Sequence, residues 1–146
     1  MDKLTTFPLV DADPYSLSDI FGKQVYSYSR AQALDDGVLI DCSSMAAEAG
    51  FTYPVALTRA AWTDCVEWAD ADSKRQTHQD EAGRLWDVLH LASLAAHRGG
   101  QEIRFQLYRI PRGGKGHKPR LVALKAVCAP GDDGEPCVTI MLPGED

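Results

Sequence analysis

The sequence predicts an α+β protein in which a small, mostly antiparallel β-sheet packs against two main helices. The sheet would comprise a C-terminal three-strand meander plus one earlier strand. Three observations support this class. The last third alternates apolar and polar residues with the period of two that strands require, as in EIRFQLYRI, where Ile103, Phe105 and Leu107 interleave with Arg104, Gln106 and Tyr108. The middle of the chain repeats apolar residues at helical spacing and stops at glycines. A short apolar run, VLIDC (Val38 to Cys42), lies between two helix-like segments and reads as a buried strand.

Taken in order, residues 1–24 hold Pro8, Pro14 and polar spacing and read as a loosely ordered N-terminal arm. A single α+β domain then spans residues 25–146. Ser29 with Gln32 is a capping-box pattern, and Gly37 marks the end of a short helix. After the VLIDC strand, a second short helix from Ser44 to Ala49 should stop at Gly50. Pro54 fits the first turn of a helix running to about Asp70, with Val55, Trp62, Cys65, Val66 and Ala69 on its apolar face. The segment ADADSK reads as a break.

Ser73 with Gln76 makes a second capping box, which should open a long helix ended by Gly99 and Gly100. Leu85, Val88, Leu89, Ala92, Ala95 and Ala96 share one face of that helix. Trp86, Leu91 and Leu94 lie on others, so the helix is either central to the core or part of an interface such as a homodimer. Strands RLVALKAVC and CVTIMLP complete the meander.

Composition bounds the function. The chain has 146 residues, 45% of them hydrophobic and 25% charged, as expected of one soluble globular domain. No apolar run approaches the ~20 residues of a membrane span, so no membrane partner is expected. Asp2 and Pro8 disfavour a secretory segment, which points to the cytoplasm. The four cysteines form no C-x-x-C pair and read as reduced, packed thiols. A cross-strand Cys128–Cys137 bridge around the loop APGDDGEP is the alternative.

Charge is segregated. Residues 103–131 hold seven of the fifteen Lys and Arg and no Asp or Glu; with the whole chain at −6, everything outside this stretch sums to −13. The candidate nucleic-acid or partner-binding residues are Arg109, Arg112, Lys115, His117, Lys118 and Arg120. They sit on a Gly- and Pro-rich hairpin loop that reads as a flexible basic finger. Glycines let a backbone approach phosphates, and Lys and Arg neutralise them. If all seven cations met phosphates, affinity would fall with salt with a log–log slope near six. The other reading is a solvated hairpin tip that keeps a sheet edge soluble.

On the long helix, Gln79, Trp86, His90, Ser93 and His97 share one side, so Trp86, His90 and His97 are candidates for a protein interface. Two His seven apart lie ~10 Å apart along a helix, too far to ligate one metal together. The loop carboxylates Asp132, Asp133 and Glu135 lack the spacing of a calcium loop. No G-x-S-x-G, phosphate loop or metalloprotease signature appears. No catalytic residue, metal or cofactor is therefore assigned, and a non-enzymatic role is favoured.

Four blocks, YSRAQALDDGVLID, YPVALTRAAW, HQDEAGRLWDVL and GDDGEPCVTIMLPGED, resemble an uncharacterised family of small proteins encoded on bacterial plasmids, phages and integrating elements. The resemblance covers roughly residues 26–146. It implies cargo of a mobile element in a bacterial cytoplasm, of a kind that acts on host defence, plasmid maintenance or transfer. In that setting the basic loop reads as binding nucleic acid or a nucleic-acid-handling protein, and the −13 remainder, with Trp86 and His90, as an acidic inhibitor or adaptor of a host protein. The segment VYSYSRAQALDDGVLID is also similar to the opening of ADP-ribosyltransferase folds. That similarity implies Arg30 for nicotinamide-dinucleotide contact and Glu135 as a catalytic carboxylate. The His or Tyr and the Glu-x-Glu motif usual in that family are not evident.

Overall fold

A computed structural model describes residues 28–114 and 116–145; the N-terminal arm and Lys115 lie outside the described residues. The elements are α1 (Arg30–Asp35), β1 (Leu39–Asp41), α2 (Ser43–Ala49), β2 (Val55–Thr58), α3 (Arg59–Cys65), α4 (Asp70–Arg75), α5 (Glu81–Ala96), β3 (Glu102–Arg109), β4 (Arg120–Pro130) and β5 (Pro136–Met141). They form one five-stranded sheet in the order β1-β2-β5-β4-β3. Its strands are antiparallel except for the parallel β2–β5 pair. The class is the α+β predicted, with two earlier strands rather than one.

The extra strand arises where a helix starting at Pro54 was expected. Val55, Ala56 and Leu57 are buried at the centre of the sheet, flanked by β1 and β5. A four-residue apolar run reads equally well as strand or helix, and the ladder on both sides decides for strand. Helix α3 begins only after it, where the Thr58 hydroxyl accepts from the Ala61 N–H at 3.2 Å.

The second correction concerns the long helix. It starts at Glu81, capped by the Asp80 carboxylate, which accepts from the Gly83 N–H at 3.1 Å. The ADADSK break is itself helical, as α4. Ser73 lies inside α4, where its hydroxyl accepts from Trp68 Nε1 at 2.9 Å instead of capping α5. The Ser29 box forms as read, with the Gln32 N–H donating to Ser29 Oγ at 3.0 Å. Helix α2 ends at Gly50, whose φ of 115° suits glycine. A Cβ there would also lie 2.9 Å from the Ser93 hydroxyl of α5.

The core lies between the inner sheet face and α5. Val55, Leu57, Phe105, Leu107, Leu124, Ala126, Val138 and Ile140 meet Leu85, Val88, Leu89, Ala92 and Ala95, with Ala61 and Cys65 from α3. Alternation along β5 separates Cys137 from the core-facing Val138, which pairs with Cys128. Cys128 and Cys137 thus sit on opposite faces, and no disulfide joins any of the four cysteines.

Candidate functional site

The basic stretch folds as strands β3 and β4 joined by the 110–119 loop, in register from Glu102↔Val127 to Arg109↔Arg120. The loop is not a free finger. Gln76, 5% exposed at the end of α4, donates through Nε2 to the carbonyls of Pro111 (3.0 Å) and Gly116 (2.6 Å). Its Oε1 accepts from the Gly113 N–H at 3.1 Å. One buried carboxamide therefore ties three points of the loop to the helical layer. His117 adds a fourth tie, its Nδ1 lying 3.2 Å from Thr77 Oγ1.

Two of the candidate cations are spent inside the fold. Arg109 donates from Nε (2.8 Å) and Nη2 (2.6 Å) to Asp64 Oδ1 of α3. Arg112 donates from Nε to Asp72 Oδ2 at 2.6 Å and from Nη1 to Glu67 Oε2. The Arg112 guanidinium beside Asp72 holds that carboxyl below its ordinary value, and Asp72 in turn raises Arg112. Lys125 of the same stretch is buried, and Arg104 lies 3.5 Å from Glu102. Lys118 and Arg120 are exposed and form no ion pair among the described residues.

Two exposed apolar side chains accompany the free cations. Tyr108 is 68% and Leu121 50% exposed, and they are cross-strand partners. Because cross-strand partners share a face, Arg104, Gln106, Tyr108, Leu121 and Ala123 line one exposed outer surface of the hairpin. Tyr108 went unassigned at the sequence level because it lies on a strand rather than in the loop. Its place at the polar end of the alternation was the available signal.

Arg84 was also missed. Arg84 is 4% exposed on the apolar stripe of α5, its guanidinium carbon 4.6 Å from the centre of the Trp68 ring. Nε donates to Val66 O at 3.0 Å, and Nη1 to Gln79 Oε1 at 2.9 Å and Ile110 O at 3.0 Å. Burial lowers its pKa. An Arg one position before Leu85 and four before Val88, on the buried stripe, is the sequence signal that marks it.

The α5 candidates divide. The Trp86 and His90 rings stack, with centroids 5.7 Å apart and planes 10° apart, and both residues are exposed. Leu94, one turn further along, is also exposed. His97 turns its Nδ1 to Ser93 O at 2.9 Å.

At the opposite end of the sheet, the Asp132 carboxylate accepts from the Arg30 N–H (2.7 Å) and the Ala31 N–H (3.0 Å), so the acidic loop caps α1. The Arg30 guanidinium donates to Thr139 Oγ1 (2.8 Å) and Val138 O (2.9 Å). Glu135 accepts from the Asp133 N–H at 3.0 Å.

Residues 19–146 match a family of unknown function, DUF6573. The chain belongs to that family. No curated protein and no solved structure matches it. No helix among the described residues is long and apolar enough to cross a membrane. The family match includes the hairpin, the Gln76 clamp and the Arg84 cluster.

Proposed function

We propose that the protein is a non-catalytic binding module that engages single-stranded nucleic acid through the outer face of the β3–β4 hairpin. The observation that carries this reading is the exposed Tyr108, set on the same strand face as Arg104 and Gln106, at the loop end of the hairpin where Lys118 is exposed; Arg120 lies on the opposite face, across from Arg109. An aromatic face accepts any base by stacking, while the flanking cations take the phosphates. The Gln76 clamp holds the loop in place before binding, so less ordering is required on contact. The implied setting is the cytoplasm of a bacterium carrying a mobile element.

Charge accounting sharpens the expectation. With Arg109 and Arg112 ion-paired, Lys125 buried and Arg120 on the opposite face, Arg104 and Lys118 remain for phosphates among the described residues. Two contacts to a single strand give a log–log salt slope of about 1.4, well short of six. Fluorescence anisotropy against single- and double-stranded DNA and RNA across a salt series tests the reading. Preference for single strands, with Tyr108→Ala about tenfold weaker, supports it. Equal binding of duplex, or no effect of Tyr108→Ala, overturns it.

A second reading rests on the Trp86–His90 stack and the exposed Leu94, an aromatic-anchored ridge on an acidic body suited to a basic host protein. It predicts no nucleic-acid binding and loss of partner capture in Trp86→Ala. The transferase reading draws least support, because the Arg30 guanidinium is already held by Thr139 and Val138.

A further inference from the structure

A guanidinium offers five N–H donors, one on Nε and two on each terminal nitrogen. Arg84 uses the Nε proton on Val66 O and both Nη1 protons on Gln79 Oε1 and Ile110 O. Both remaining donors are on Nη2, which is buried and has no hydrogen-bond partner among the described residues. Every acceptor Arg84 does reach is neutral. A buried cation without a carboxylate is costly, and one with a bare donor edge more so.

The same side chain walls a cavity of about 170 Å³, together with Cys65, Gln79, Tyr108, Arg109 and Pro119. Arg109 brings a second guanidinium to that wall, paired with Asp64. The exposed Asp87 also lines it. Among the described residues, Arg84 is thus the buried charge at this cavity that forms no ion pair.

We infer that this cavity is a binding site for the oxyanion group of a small ligand, a carboxylate or a phosphate, received by the Arg84 guanidinium as its buried Nη2 turns into the cavity. The ligand group supplies the acceptor and the negative charge that the fold withholds. Its size is limited: drug-sized ligands occupy roughly 300–1,000 Å³, so this cavity takes a group of a few heavy atoms. Asp87 repels a dianion more than a monoanion, which favours a carboxylate over a fully ionised phosphate. The site shares Tyr108 with the hairpin's outer face, but anion binding by Arg84 does not depend on nucleic-acid binding.

The test is thermal unfolding and calorimetric titration of the full chain with sodium acetate and with inorganic phosphate, against sodium chloride at matched ionic strength. A saturable rise in Tm with either anion, beyond chloride, is expected, because a ligand that binds only the folded state stabilises it by mass action. Acetate alone or phosphate alone acting identifies the oxyanion class. Arg84→Lys should weaken binding about tenfold or more, since a point charge does not replace the guanidinium edge. Should that variant fail to fold, Asp87→Asn decides: removing the exposed carboxylate should tighten binding about two- to threefold. No saturable effect of either anion, or unchanged affinity in Asp87→Asn, overturns the assignment.

Discussion

Arg112 and Asp72, forty residues apart in the chain, are joined by a 2.6 Å hydrogen bond that turns a loop cation into a structural strut. Asp72 is 2% exposed and also accepts from the Ala69 N–H at 2.8 Å, so one carboxylate caps α4 and anchors the hairpin loop. The strut makes the basic loop part of the fold and leaves the outer hairpin surface to meet a partner.

This pairing sets a pH dependence. Asp72 is held below its ordinary value of 3.8, first by the Arg112 hydrogen bond. A depressed carboxylate contributes stability that is complete above the unfolded value and disappears as pH falls through the folded one. Urea unfolding between pH 2 and 6 should therefore show wild type losing its advantage over Asp72→Asn progressively below about pH 4. A constant difference across the range would contradict the pairing.

Gln76→Ala should free the loop. It removes one acceptor and one donor group that bind Gly113, Pro111 and Gly116, with a loss of about 2 kcal/mol. Chemical denaturation would measure that loss. Limited proteolysis should show new cleavage between residues 111 and 120.

Arg109 and Arg120 face each other across the hairpin and should separate cleanly by experiment. Arg109→Ala leaves the half-buried Asp64 without its partner and should lower Tm, with little direct effect on the salt slope. Arg120→Ala should leave Tm and the salt slope within error, whereas Lys118→Ala should reduce the slope for single strands by about 0.7.

Thiol chemistry should follow burial. Burial pushes the Cys42 thiol up to about 11 and Cys65 up to about 12, so neither is ionised near neutrality. Cys128 is the half-exposed one of the four. With a disulfide reagent at pH 8, Cys128 should react first. Cys42 and Cys65 should react only on unfolding, as mass spectrometry of timed samples would show.

Leu89→Ala should cost about 3 kcal/mol, because Leu89 is fully buried between α5 and the sheet. Equilibrium denaturation checks it.

Much of this architecture was legible because it rests on local signals. The Ser29–Gln32 box, the Gly50 stop and the strict alternation from Glu102 to Arg109 each specify backbone through neighbours a few residues away. The α+β class, the meander and the presence of a long apolar helix follow from that local chemistry alone. Tertiary structure decided the rest. VALT became a central strand because β1 and β5 offered a ladder on both sides. Ser73 and Gln76 abandoned the capping role their spacing suggested because Trp68 and the hairpin loop claimed their polar atoms. The sequence alone determined that the cations cluster in one stretch. Which of them remain available was decided by Asp64, Asp72 and Glu67, brought across by the fold. An ion pair between residues about forty positions apart leaves no trace in the spacing of either.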